Sequence, residues 1–284
     1  MPAEVLKGKP VADAIKAEVQ RTVAGLAGQG CKPLLVSVMV GEDEGIAAYV
    51  RMQQRAADEV GIAYRLDQLP PFTSQHELHR HIRRLNDDAE VTGVILQLPL
   101  PEQLDARSAQ DLVAQQKDVD GISAANLGLL AQNRPRLAPC TALAAMALIH
   151  ASGRPVKGAE AVIVGRSDIV GKPVALLLMA EHATPTICHT RTRDLAFHTR
   201  RADILVAAAG RPKLITGDMV KPGALVIDVG INYVNGQMVG DVDFESASEV
   251  AGILTPVPGG VGPCTVASLM RNVVEAATWQ LETR

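Results

Sequence analysis

The sequence predicts an α/β protein of two domains built on parallel sheets, and three observations carry that expectation. The chain has 284 residues, which at roughly 150 per domain corresponds to two domains. Short β-rich runs alternate with stretches of helical spacing, the pattern of strands covered by helices. The apolar runs of the second half each end in a glycine or a polar residue, at the carboxyl end of a strand, where open parallel sheets bind their ligands.

Taken in order, Leu34 to Val40 is the first clear strand, ended by Gly41. Glu44 to Val60 has helical spacing and stops at Gly61, a natural C-terminal cap. A strand-like run, IAYRLDQL, follows, and Ser74 with Glu77 three residues later is the capping-box signature of a helix to about Leu85. VTGVILQLPLP reads as a buried strand opening into a loop. The second alternation has strands at 161–164, 184–189, 204–210 and 224–230. Helices at 141–150 and from Thr265 to about Leu281 are expected to join the two domains.

Composition narrows the function. A 47% hydrophobic content supports sizeable cores, which excludes a disordered chain. The 28 basic and 31 acidic side chains give a net charge of −3 with no long basic block, so nucleic acid is not an expected partner. No run approaches 18 apolar residues, which argues against a membrane span. The first thirty residues read as a charged amphipathic helix and not as a signal peptide, and the expected location is the cytoplasm. Cys31, Cys140, Cys188 and Cys264 lie far apart without CxxC spacing, which suits buried thiols better than disulfides or zinc. His76-Glu77-Leu78-His79-Arg80-His81 has arginine where a zinc-binding HExxH needs its second histidine, so no metal is expected.

Three segments carry chemistry. Gly165-Arg166-Ser167-Asp168-Ile169-Val170-Gly171-Lys172-Pro173 sits between an apolar strand and a helical run, where a dinucleotide-binding turn belongs. Pro173 suits a first helical turn, whose free N–H groups favour phosphate. The next strand ends in Cys188-His189-Thr190-Arg191 without the carboxylate that binds an NAD ribose. With Arg166, Thr190 and Arg191 form a candidate pocket for a 2′-phosphate, and the expected cofactor is NADP. Lys117-Asp118-Val119-Asp120-Gly121 is open to two readings, carboxylates for a heterocycle or simple turn formers. Thr255 to Pro263, with Pro258, Gly259 and Gly260, is either a wall for a flat ligand or a rigid turn.

Together, Tyr49-Val50 with Arg55 to Gly61, QLPLP, KDVDG, GRSDIVGKP and TPVPGGVGPCT resemble, in order and spacing, the bifunctional methylenetetrahydrofolate dehydrogenase/cyclohydrolase family. The resemblance implies a folate-binding catalytic domain at 1–139, completed by a helix at 265–284, and a Rossmann-like NADP domain at 140–264. It implies tetrahydrofolate substrates and a homodimer. By resemblance Tyr49 stacks beside the pterin, Gln97 assists the catalytic lysine, Asp120 binds the pterin ring, and Pro258, Gly259 and Gly260 line the substrate. Cofactor contacts fall on Gly165, Arg166, Ser167, Thr190 and Ile231.

One departure from the family is serious. Its catalytic lysine lies four residues after the tyrosine, where this chain has Gln53. Ile46 replaces a serine, and Cys140-Thr141-Ala142 replaces the usual Cys-Thr-Pro. Hydride transfer leaves a cation that the folate nitrogens stabilise, so it needs alignment rather than a base. Cyclohydrolysis needs a proton acceptor and donor, and a glutamine amide does not titrate near neutrality. Val50, Tyr49, Ala56 and Ala57, one turn from Gln53, offer no substitute; Lys7 and Lys9 are the amines left to consider. The expectation is an NADP-dependent dehydrogenase with weak or lost cyclohydrolase. The alternatives are a fully bifunctional enzyme and a catalytically silent NADP- or folate-binding homologue.

Overall fold

A computed structural model describes residues 2–283. The chain opens with β1 (Glu4–Val5), α1 (Gly8–Gly28), β2 (Leu34–Val40), α2 (Glu44–Val60), β3 (Ala63–Leu69), α3 (Gln75–Asp87) and β4 (Gly93–Leu96). Short α4 (Ala106–Leu112) and α5 (Ala124–Ala131) precede α6 (Cys140–Ala151). Then come β5 (Glu160–Val164), α7 (Gly171–Ala180), β6 (Thr184–Cys188), α8 (Leu195–Thr199), β7 (Ile204–Ala207) and β8 (Leu225–Asp228). The hairpin β9 (Asn232–Val234) and β10 (Gln237–Val239), α9 (Phe244–Ser248), β11 (Ile253–Leu254) and α10 (Val261–Glu282) complete it.

These elements form two compact units, Ala14–Cys140 with Val266–Arg284, and Met1–Asp13 with Thr141–Thr265. The first holds a parallel sheet in the order β3-β2-β4. Alternation along β2 separates its faces. Val36, Val38 and Val40 pack with Leu78, Ile82 and Leu85 of α3, while Met39 packs with Ile46 and Val50 of α2. Ser37 therefore lies on the α2 face, a hydroxyl in an otherwise apolar strand. The expected terminators are present: Gly61 caps α2 at φ 80°, and Ser74 and Glu77 form a reciprocal capping box on α3.

The second unit holds the sheet β1-β11-β8-β7-β5-β6, parallel at every pairing. Its core joins Val162, Val164, Leu205, Val226 and Leu254. The fold is the expected α/β class, but residues 1–13 depart from the expected boundary. Glu4 and Val5 pair with Ile253 and Leu254, which ties the start of the chain to this unit. The chain therefore passes between units within α1, α6 and α10, one passage more than the sequence pattern assigns. No helix among the described residues is long and apolar enough to cross a membrane.

Candidate functional site

The candidate residues fall into two groups, one per unit. In the first unit Tyr49 and Gln53 stand one turn apart on α2, Gln97 follows β4, and Asp120 lies in the loop before α5. Gln53 is fully buried. Its Oε1 accepts from the Tyr64 hydroxyl at 3.1 Å and from Gln97 Nε2 at 3.0 Å. Gln97 Nε2 also donates to Ser37 Oγ at 2.9 Å. Gln53 Nε2 is left without a hydrogen-bond partner among the described residues, a costly state for a buried donor unless a ligand satisfies it. Ser37 and Tyr64 escape a sequence reading, although a lone serine in a core strand is a signal of a buried polar contact. Ile46 contributes to the apolar packing of α2, and Ala142 is fully buried.

The KDVDG segment divides by role. Lys117 is buried, and its ammonium donates to the carbonyls of Leu85, Asn86 and Asp88 at 2.9, 2.8 and 2.6 Å, capping the end of α3. The Asp118 carboxylate accepts from the N–H groups of Gly121 and Ser123 and from Asn126 Nδ2. Gly121 has φ +70°, and a Cβ there would strike the Ala138 backbone. Asn272 on α10 donates to the carbonyls of Val119 and Ala138 at 2.8 and 2.9 Å, holding the loop from behind. The turn-former reading thus applies to Asp118 and Gly121, and Asp120 is the carboxylate that the turn does not use. Part of Asp120 reaches the surface, yet burial of its carboxyl, reinforced by the Asp118 charge and opposed by a hydrogen bond from Cys140, raises its pKa to about 7. Burial, followed by the neighbouring Cys140 and Asp120, pushes the Tyr49 phenol up. Burial first, then Asp120, also holds the Cys140 thiol well above its ordinary value.

In the second unit the turn between β5 and α7 is built by steric exclusion. Gly165 has φ +131°, and a Cβ on it would strike the Ala208 carbonyl; one on Gly171 would strike the Gly165 carbonyl. The six-residue glycine spacing folds the turn back on itself. Ser167 Oγ accepts from the N–H groups of Val170 and Gly171 at 3.2 and 3.4 Å. Because β5 and β6 are parallel neighbours, Gly165 N–H reaches the Cys188 carbonyl at 2.9 Å, and Arg166 and Thr190 leave adjacent strand ends. Arg166, Ser167, Thr190 and Arg191 are exposed. Neither guanidinium has a hydrogen-bond or ion-pair partner among the described residues. Two unpaired guanidinia, a hydroxyl and no carboxylate form a donor set that fits a phosphate monoester.

Ile231 is 60% exposed beyond β8. Pro258 and Gly259 are exposed before α10, and Gly8 N–H donates to the Gly259 carbonyl at 2.8 Å. A Cβ on Gly8 would strike the Gly260 carbonyl, so the proline-glycine loop rests on a bare backbone. Of the two amines considered as substitutes for a lysine, Lys9 pairs with Asp13 in its own helix at 2.6 Å and Lys7 is exposed. The described residues contain no cluster of His, Cys, Asp or Glu suited to a metal.

Residues 6–120 match the tetrahydrofolate dehydrogenase/cyclohydrolase catalytic domain, and residues 139–281 match the NAD(P)-binding domain of the same family. The chain is 53% identical over 98% of its length to a bifunctional protein FolD of Moorella thermoacetica, covering 99% of it. It is similar to the solved bifunctional dehydrogenase/cyclohydrolase of Campylobacter jejuni, with TM-score 0.95, 39% identity and coverage of 98% and 99% of the two chains. The Trypanosoma brucei enzyme, solved with NADP and an inhibitor, superimposes with TM-score 0.93 at 38% identity, covering 99% of both chains. The chain belongs to the tetrahydrofolate dehydrogenase/cyclohydrolase family.

Proposed function

We propose that the protein is an NADP-dependent 5,10-methylenetetrahydrofolate dehydrogenase whose cyclohydrolase step is weak or lost. The chemistry that bound NADP would supply is a hydride acceptor for the methylene bridge. Arg166, Thr190 and Arg191 would hold its 2′-phosphate, and the turn at Gly165 to Ser167 would hold its pyrophosphate. Asp120 accepts N–H groups of the pterin, and Tyr49 lies against the ring. Alignment of the bridge carbon is the contribution asked of these residues, because the folate nitrogens stabilise the product cation.

One observation carries the cyclohydrolase part: the lysine position holds a carboxamide whose oxygen is committed to Tyr64 and Gln97. Such a group can orient an acceptor through its free N–H bonds but cannot move a proton to or from water. The bifunctional names of the relatives that the chain matches favour a second reading, in which another group performs hydrolysis. A spectrophotometric assay separates the two: formation of methenyltetrahydrofolate with NADP, then its decay against buffer. Dehydrogenase turnover with decay at the buffer rate supports the first reading; catalysed decay supports the second, and neither activity leaves a silent binding homologue. The homodimer implied by the resemblance is likewise proposed; β3 is an outer strand with Leu66 39% exposed, and sedimentation measures the mass.

A further inference from the structure

Asp241 is fully buried between β10 and α9, and its carboxylate is surrounded by donors. Oδ2 accepts from the N–H groups of Ala209 and Gly210, and Oδ1 from that of Arg211 and from Asn232 Nδ2 at 2.9 Å each. Its position is itself held: Asp241 N–H donates to Asp228 Oδ1 at 3.0 Å, and Asp228 also accepts from Gly230 and Val242 N–H. The carboxylate thereby ties the loop after β7 to the loop after β8. A Cβ on Gly230 would strike it, which shows how closely the second loop approaches. The first loop meets the phosphate turn directly, at the contact of Ala208 with Gly165.

The strand order β8-β7-β5-β6 orients this arrangement. On the cofactor reading above, on which this inference rests, the 2′-phosphate lies at the end of β6 and the pyrophosphate at the end of β5. An extended dinucleotide crossing the carboxyl ends of the strands then carries its nicotinamide half to the ends of β7 and β8. We propose that Asp241 is a positioning residue for the nicotinamide half of NADP, holding Ala208 to Arg211 and Gly230 to Asn232 in the conformation that receives it. Four donors converging on one buried carboxylate give a rigid support. Asparagine preserves the shape but points an NH2 group at donors.

The test compares two ligands by calorimetry in the full-length protein: NADP, and 2′,5′-ADP, which lacks the nicotinamide half. Asp241→Asn and the milder Asn232→Ala should weaken NADP, about tenfold for the former, and leave 2′,5′-ADP within twofold. Arg166→Ala should weaken both. Unchanged NADP binding in both Asp241→Asn and Asn232→Ala overturns the proposal, as does an equal loss of both ligands in a variant with the parent's circular dichroism. If Asp241→Asn does not fold, Asn232→Ala decides by the same criterion. A parent that binds neither ligand overturns the cofactor reading and this inference with it, an outcome distinct from a parent that binds NADP and variants that bind it equally well.

Discussion

Gln97 sets the face that Gln53 presents: its carboxamide nitrogen lies 3.0 Å from Gln53 Oε1 and 2.9 Å from Ser37 Oγ, so the Gln53 oxygen is held inside and its nitrogen remains open. A lysine at 53 has no acceptor to offer Gln97. The Gln97 amide must then turn over and present its oxygen to the ammonium, with the Ser37 and Tyr64 hydroxyls rotating to follow. Gln53→Lys is expected to raise methenyltetrahydrofolate decay by less than the roughly 10²- to 10⁴-fold typical of general acid–base catalysis, because Ile46 puts an apolar side chain on the same helix where a hydroxyl would help to tune the amine. Any gain should increase with pH as the amine loses its proton. A parent that already hydrolyses methenyltetrahydrofolate well above buffer contradicts this account.

Cofactor choice is tested at Arg166. Removing a charge-assisted contact to the 2′-phosphate should cost about 1.5–3 kcal/mol. Arg166→Ala is expected to weaken NADP by that amount and NAD little, as read by titration of each. Equal or better use of NAD by the parent refutes the assignment.

Asp120 opposes stability where it serves binding. Its folded pKa of about 7 lies above the ordinary carboxylate value of 3.8, so between these values the unfolded chain is ionised while the folded one retains its proton. The folded state is thus favoured fully below the lower value and loses stability as pH rises through the window, by at most about 4 kcal/mol. Asp120→Asn, neutral throughout, should match the parent near pH 4 and exceed it increasingly up to about pH 7, in urea melts. The same variant should lose folate affinity and keep NADP affinity. A stability gain that is independent of pH excludes titration as its origin.

Lys117→Met should destabilise the catalytic-domain unit by about 2 kcal/mol or more, because the carbonyls of Leu85, Asn86 and Asp88 lose a shared buried donor. The urea midpoint reports it; an unchanged midpoint means that water replaces the ammonium without cost.

What could be read in advance was local. The capping box of Ser74 and Glu77 and the cap at Gly61 depend on residues three or four apart, and the turn at Gly165 is announced by its flanking strand and helix. The bend between β9 and β10 was equally available in Asn235-Gly236, both at positive φ, a strong hairpin signal. Residues satisfied over long sequence separations were not legible. Lys117 finds its acceptors about thirty residues earlier, Asp241 draws donors from Ala209 to Arg211, and β1 is a strand solely because β11 lies beside it. Gln53 is a mixed case: the departure is plain in the sequence, but the orientation of its amide belongs to Ser37, Tyr64 and Gln97.

The threading of the chain through three helices governs the order in which the protein can be made. Glu4 and Val5 are made well before Ile253 and Leu254 and have no strand to join until those residues follow. The loop around Asp120 is synthesised near the middle and waits for Asn272, while Thr92 and Gln116 wait for Gln280. Domains in a linear array fold in succession during synthesis. Here the stretch from Ile253 to Gln280 supplies partners to both units, so neither unit has its full set of contacts until that stretch has been made.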